Sequence, residues 1–97
     1  MAEGAAPGLP AGFLLDQNYP NPFNPVTTIR YALPRQARVT LTLSDVLGRT
    51  VETLVDGIEP AGVRTLSLNA RDLSSGVYYL RLRSASMQFT RKLLLLR

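Results

Sequence analysis

Asn18-Tyr19-Pro20-Asn21-Pro22-Phe23-Asn24-Pro25 places three prolines among asparagines and two aromatics, just ahead of a series of short alternating segments. Proline fixes φ, lacks an amide donor and pushes the residue before it out of the helical region. The stretch can therefore be neither helix nor central strand, and it reads as an extended, ordered entry loop. Asn21 and Asn24 can fold back onto nearby backbone, while Tyr19 and Phe23 carry apolar area that is expected to be buried. The segment is then a buckle that pins an N-terminal arm onto a β domain. The competing reading is a proline-rich linker, but such linkers favour Ser, Gly or Glu over paired aromatics.

Downstream of the buckle, period-two alternation recurs and no window carries a helical period. Ile29, Tyr31 and Leu33 share one face against Thr28, Arg30 and Ala32, and Pro34 ends the run. Val39, Leu41 and Leu43 repeat the pattern with Thr40, Thr42 and Ser44 facing water. A β-branched run from Arg49 to Val55 follows, then Leu66 and Leu68, then Tyr78, Leu80 and Leu82 against Tyr79, Arg81 and Arg83. Met87, Phe89, Leu93 and Leu95 form the main apolar face of the last run, interrupted by Arg91.

The punctuation is equally regular. Asp45-Val46-Leu47-Gly48-Arg49 offers an aspartate able to bond its downstream backbone and a glycine able to take positive φ. Asp56-Gly57 and Pro60-Ala61-Gly62 read as one broad loop, Asp72-Leu73-Ser74-Ser75-Gly76 precedes the Tyr78 strand, and Ser84-Ala85-Ser86 closes a final hairpin. With a short strand near Phe13 to Gln17, the chain gives about seven antiparallel strands at spacings of roughly 8 to 12 residues, the pattern of an Ig-like β-sandwich. Leu73, Gly76 and Tyr78 resemble a tyrosine corner, in which the hydroxyl bonds back to the preceding turn. With no cysteine there is no disulfide, and without Trp the likeness to antibody domains is architectural.

Ninety-seven residues suit one domain, and 45% hydrophobic content with 19% charged residues excludes a disordered chain. No apolar run approaches the roughly 20 residues needed to span a bilayer as a helix. Residues 1–12 are mostly Ala, Gly and Pro, with neither a basic start nor a continuous apolar block, so they read as a flexible linker rather than a signal peptide. Residues 13–97 form the folded unit, and the expectation is a module whose parent chain continues upstream. The net charge of +4 permits contact with phosphate or an anionic glycolipid. Basic residues are scattered until Arg81, Arg83, Arg91, Lys92 and Arg97 crowd together, a distribution that a solvated strand face also produces.

Chemistry is sparse. The chain contains no histidine, which removes the commonest general base and most zinc sites. Asp16, Asp45, Asp56, Glu59 and Asp72 fall in predicted turns where backbone capping accounts for them, so neither an enzyme nor a calcium loop is expected. Tyr79, Arg81 and Arg83 come nearest to a nucleic-acid face but fit an ordinary outer strand face, and no nucleic-acid partner or cofactor is expected.

Leu93-Leu94-Leu95-Leu96, between Lys92 and Arg97, breaks the alternation, because both faces become apolar. Leu94 and Leu96 need a cover, either a loop or the proline-rich arm of the same chain, or another protein that adds a strand or takes the leucines into a groove.

The run Asn18 to Pro25, then Thr27-Thr28-Ile29-Arg30-Tyr31-Ala32-Leu33-Pro34, Asp45 to Arg49, Leu73 to Tyr78, and Arg91-Lys92-Leu93 through Arg97 together resemble the type A C-terminal sorting domain of the type IX secretion system. The similarity covers about Leu14 to Arg97. It implies a seven-stranded Ig-like sandwich that directs an upstream cargo across the outer membrane of a Gram-negative bacterium, through the periplasm to the cell surface or medium. The partners it implies are translocation and attachment proteins, including a sortase-like peptidase that cuts within or near Ala5 to Phe13 and joins cargo to an anionic lipopolysaccharide. By motif, Tyr19, Pro20, Asn21, Pro22, Asp45, Gly48, Arg49, Gly76 and Tyr78 are fold determinants, and Lys92, Leu93, Leu94, Leu95, Leu96 and Arg97 are the recognised terminal signal. Removing Lys92 to Arg97 is then expected to abolish delivery while leaving much of the fold. The alternatives are a carbohydrate-binding module using Tyr19, Phe23 or Tyr79 as a stacking platform, and a passive Ig-like accessory module of a secreted glycoside hydrolase.

Overall fold

Alternation dictates which side of each strand meets the core, and the computed structural model, which describes residues 12–85 and 87–97, follows it closely. The strands are β1 (Leu14–Leu15), β2 (Val26–Leu33), β3 (Ala37–Ser44), β4 (Thr50–Glu59), β5 (Gly62–Asn69), β6 (Gly76–Ser84) and β7 (Met87–Leu95). They form two antiparallel sheets, ordered β1-β2-β5 and β4-β3-β6-β7. The result is an Ig-like β-sandwich of seven strands. Its fourth strand joins the sheet of β3, whereas antibody constant domains place theirs beside strands one, two and five. No helix among the described residues is long and apolar enough to cross a membrane.

Between the sheets, Ile29, Tyr31 and Leu33 of β2 and Leu68 of β5 face Val39, Leu41 and Leu43 of β3, Leu80 and Leu82 of β6, and Leu93 and Leu95 of β7. None of these side chains is more than 2% exposed. Burying each contributes about 1.5–3 kcal/mol, which offsets the chain entropy of ordering the strands without help from a disulfide.

Three local expectations are corrected. Asp56-Gly57 is no turn but lies inside β4, opposite Thr40 and Val39. From Ala37 to Leu41 the pairing runs in unbroken register against Glu59 to Val55, and the register shifts come only later, at Leu41/Thr42 and Leu43/Ser44, so strand pairing overrides turn-like composition. Asp56 then pairs with Arg38 at 2.6 Å instead of capping a loop, and Pro60-Ala61 alone carries the chain between sheets. Ser44, expected to face water, is 3% exposed. It lies across from Thr50 and Tyr79, and directly opposed side chains on one sheet face pack together. Residues 1–11, which hold most of the linker and of the expected cleavage region, and Ser86 of the last hairpin lie outside the described residues.

Candidate functional site: the arm and the terminal strand

β7 is an edge strand, and its outward amides and carbonyls invite pairing. The proline-rich arm answers that demand over the C-terminal half. Phe23 donates its amide to the Leu94 carbonyl and accepts from the Leu96 amide, both at 3.0 Å, in a parallel bridge to Leu95. Asn21 Oδ1 accepts from the Leu94 amide at 2.9 Å, and Gln17 Nε2 donates to the Lys92 carbonyl at 2.9 Å. Prolines suit this duty because the arm forms an outermost strand, where a missing donor costs nothing. The cover comes from the chain itself, and strand addition along Lys92 to Leu96 would first have to displace the arm.

The arm is anchored at its base as well. Tyr19 exchanges backbone hydrogen bonds with Thr28, at 3.0 and 2.9 Å. Buried Asn18 donates to Thr27 Oγ1 at 2.9 Å and to the Pro20 carbonyl at 3.1 Å, while Thr27 Oγ1 donates to the same carbonyl at 2.8 Å. Sequence reasoning singled out Asn21 and Asn24 but passed over Asn18. Its one available signal was its place directly before the Tyr-Pro pair, since Asx side chains bond backbone two residues on.

The two aromatics diverge. Phe23 is buried beside Leu95, 3% exposed, as expected. Tyr19 is 80% exposed, which overturns its expected burial. The physical reason is that its backbone, fixed to Thr28, holds the side chain on the outside while Asn18 beside it turns inward. Pro20 and Pro22 are exposed next to it, and together with Phe23, Asn24, Val26, Leu96 and Arg97 they line a shallow depression. Within the leucine run, Leu93 and Leu95 are fully buried, Leu94 is half-buried and Leu96 is 50% exposed.

Arg97 closes the run on the opposite loop. Its amide donates to Ser75 Oγ at 2.9 Å, and its Nη1 donates to the Leu73 carbonyl at 2.6 Å and to the Arg71 carbonyl. A planar guanidinium with several donors can gather converging carbonyls in this way, as an ammonium cannot. That loop also holds the tyrosine corner, where the Tyr78 hydroxyl donates to the Ser74 carbonyl at 2.6 Å. Gly76 leads into β6 at φ 150°, a conformation that L side chains rarely adopt.

Asp45 and Arg49 stand across a second depression from Asp72 to Tyr78. The Asp45 carboxylate accepts from the amides of Leu47 and Arg49 at 2.9 and 3.0 Å and from Arg49 Nε at 2.9 Å, while Gly48 supplies φ 84°. Desolvation is the largest single influence on this carboxyl and raises its pKa, but the bonds from Arg49 and Leu47 and the guanidinium charge together outweigh it. The group therefore titrates below the ordinary carboxylate range. A carboxylate held down by folding stabilises the turn above its unfolded pKa, about 3.9, and that contribution disappears as pH falls through the lower folded value. Protection of the Leu47 and Arg49 amides, taken relative to their intrinsic exchange rates, is accordingly expected to fall below pH of about 4, before global unfolding; protection that stays flat until the whole domain unfolds would contradict this linkage.

The residues singled out from sequence thus fall into two neighbouring groups. Tyr19, Pro20, Asn21 and Pro22 gather with Lys92 to Leu96, while Asp45, Gly48, Arg49, Gly76 and Tyr78 form the adjoining end of the sandwich, joined to the first group by Arg97. A carbohydrate platform is not assembled: Phe23 is buried and Tyr79 half-buried, leaving Tyr19 exposed without a partner ring.

The fold is thus a seven-stranded sandwich whose entry arm is sewn to its own last strand. The chain matches the model of the secretion system C-terminal sorting domain over residues 17–96, from the arm through Leu96, and it belongs to that family. The domain is a C-terminal sorting signal for type IX secretion, which implies contact with the secretion machinery and export of its cargo to the cell surface or the extracellular space. No curated protein matches the chain.

Proposed function

We propose that the secretion machinery reads a composite surface, made by the outward leucine of the terminal run together with the exposed part of the arm. The carrying observation is that Leu96 is 50% and Tyr19 80% exposed although both belong to a segment held rigid by backbone hydrogen bonds. Pre-ordered apolar side chains on a rigid frame bind at little entropic cost. Pro20 and Pro22 continue the apolar surface, with Lys92 and Arg97 at its margins. Leu93 and Leu95 hold this surface in place from inside, Leu94 supports it, and Asp45, Gly48, Arg49, Gly76 and Tyr78 shape the adjoining loops.

After translocation, a sortase-like peptidase cuts the linker ahead of the domain, within or near Ala5 to Phe13, and transfers the cargo to an anionic lipopolysaccharide. The domain itself is a type A, Ig-like member that passes through the periplasm and performs no catalysis. These steps rest on the family likeness and on the position of the linker ahead of the arm.

A reporter fused upstream of the whole chain tests the recognition surface. Leu96→Glu places a charge in the apolar patch at a half-exposed position outside the buried core, so folding stability is expected to change by no more than about 0.5 kcal/mol. Surface delivery is expected to fall at least about tenfold, the effect of losing roughly 1.4 kcal/mol at a contact centre. Undiminished delivery by a folded Leu96→Glu domain would show that the machinery reads another surface.

A further inference from the structure

The charge of this domain is distributed very unevenly between its two outer faces. Alternation directs Arg38, Arg81, Arg83 and Lys92 away from the core on the four-stranded sheet, each next in sequence to a buried side chain. The acid that shares this face is Asp56, opposite Thr40, and it is taken up by Arg38. The face thus carries four cations against one acid, a balance of +3 out of the chain's +4. On the three-stranded sheet, Arg30 is matched by Asp16 and Arg64 by Glu59.

The remaining cations of the basic C-terminal third have structural employment. Arg91 Nε donates to the Leu15 carbonyl at 2.8 Å, and Arg97 holds the loop carbonyls described above. Arg83 donates to Gln88 at 3.1 Å, on the same face. Among the described residues, Arg81 and Lys92 have no side-chain hydrogen bond or ion pair, and Arg81 Nε is shielded from solvent without a partner.

At one end this face runs into a shallow concavity whose lining includes Arg35, Arg38 and Arg83 beside Phe13 and Met87, with no carboxylate among the described lining residues, although Arg38 is itself paired with Asp56. The Arg35 guanidinium lies 5.4 Å from the centre of the Phe13 ring. Guanidinium groups set against apolar side chains complement a phosphate that carries hydrocarbon next to it.

We propose that the outward face of the four-stranded sheet, together with this concavity, is a docking surface for a membrane leaflet rich in anionic lipid headgroups. A protein partner is the poorer fit. Stable protein interfaces enclose a dry apolar centre with aromatic anchors, whereas this face is dominated by Arg, Lys, Thr and Gln, with Tyr79 half-buried beside Lys92 and Ile58 exposed only at the edge strand. The cations sit on the three adjacent strands β3, β6 and β7, about 4.8 Å apart, which spreads the charge over roughly 10 Å across the sheet, a geometry suited to an extended plane of negative charge. The inference goes beyond the sorting role and does not depend on it.

Sedimentation of the intact chain with vesicles tests the surface. Binding is expected to vesicles of equal parts phosphatidylcholine and phosphatidylglycerol, to be reversed by salt, and to be absent with phosphatidylcholine alone. Near an anionic leaflet each cation contributes about fivefold, so Arg81→Gln, Arg83→Gln and Lys92→Gln combined should weaken binding by about a hundredfold. The matched set Arg30→Gln, Arg64→Gln and Arg71→Gln removes equal charge from other surfaces and should have a much smaller effect. Lys92 is the only lysine of the chain, so its acylation should be slowed on the anionic vesicles, a reading that needs no variant. Equal losses in the two sets, unprotected Lys92, or capture by polyglutamate without vesicle binding would each overturn the proposal.

Discussion

Deletion of Lys92 to Arg97 is expected to unfold the domain as well as silence its signal. Leu93 and Leu95 are fully buried and contact the common core, and large-to-small changes at such sites cost about 2–5 kcal/mol each. Losing both, along with their pairing to Tyr78 and Gly76, removes an amount comparable to the whole stability of a small domain, about 5–15 kcal/mol. Urea titration of the truncated chain should show no cooperative transition. A cooperative transition with an unchanged midpoint would mean that these leucines are not core. The burial of Leu93 and Leu95 speaks against the expectation from sequence that the truncation would leave much of the fold intact, and lost export after truncation cannot then by itself identify a recognition sequence. Leu96→Glu separates the two effects because Leu96 lies outside the core.

Phe23→Ala is expected to be the most damaging single substitution in the arm, destabilising the domain by about 3–5 kcal/mol, the usual range for truncating a buried aromatic. The loss has a second part. Without the ring, the two backbone hydrogen bonds between Phe23 and Leu94 and Leu96 are no longer held in place by burial, and the outer edge of β7 opens. Thermal unfolding should show the drop, and amide exchange at Leu96 should rise far more than at Leu41 in the centre of β3. An equal rise at both positions would show that Phe23 serves the core generally and not the arm. Tyr19→Ala provides the contrast: its side chain is exposed, so the melting temperature should scarcely move.

The contrast between these two aromatics shows where sequence reading reached its limit. Phe23 and Tyr19 occupy equivalent-looking places beside prolines, and an irregular segment has no period to reveal which side chain turns inward. The strands were legible because alternation ties each side chain to a face, and Tyr78 because a tyrosine two residues after a turn glycine can bond back to that turn; the Tyr78 reading holds, and the strand faces hold but for Ala32 and Ser44, which are buried. Asp45 to Arg49 was legible for a similar reason, all of its bonds lying within five residues. Asp56-Gly57 was misread because composition speaks for isolated turns, while β3 decides otherwise through long-range pairing. The alternatives left open for Leu94 and Leu96 could be separated only by the tertiary fold, since the arm that covers their edge is about seventy residues away. Arg97 belongs to the same category: nothing in a C-terminal arginine announces that it gathers carbonyls from residues 71 and 73.

The parallel sense of the bridge between Phe23 and Leu95 has a mechanical corollary. A drag on the upstream chain, such as a folded cargo would exert while being hauled, is met first by β1 and its bonds to β2; beyond these it runs along the last strand and loads the fastenings at Gln17, Asn21 and Phe23 in shear, where an antiparallel seam would unzip one at a time. The tether is thus fastened a second time beside the surface proposed for the machinery's grip, so that traction and grip act at neighbouring points.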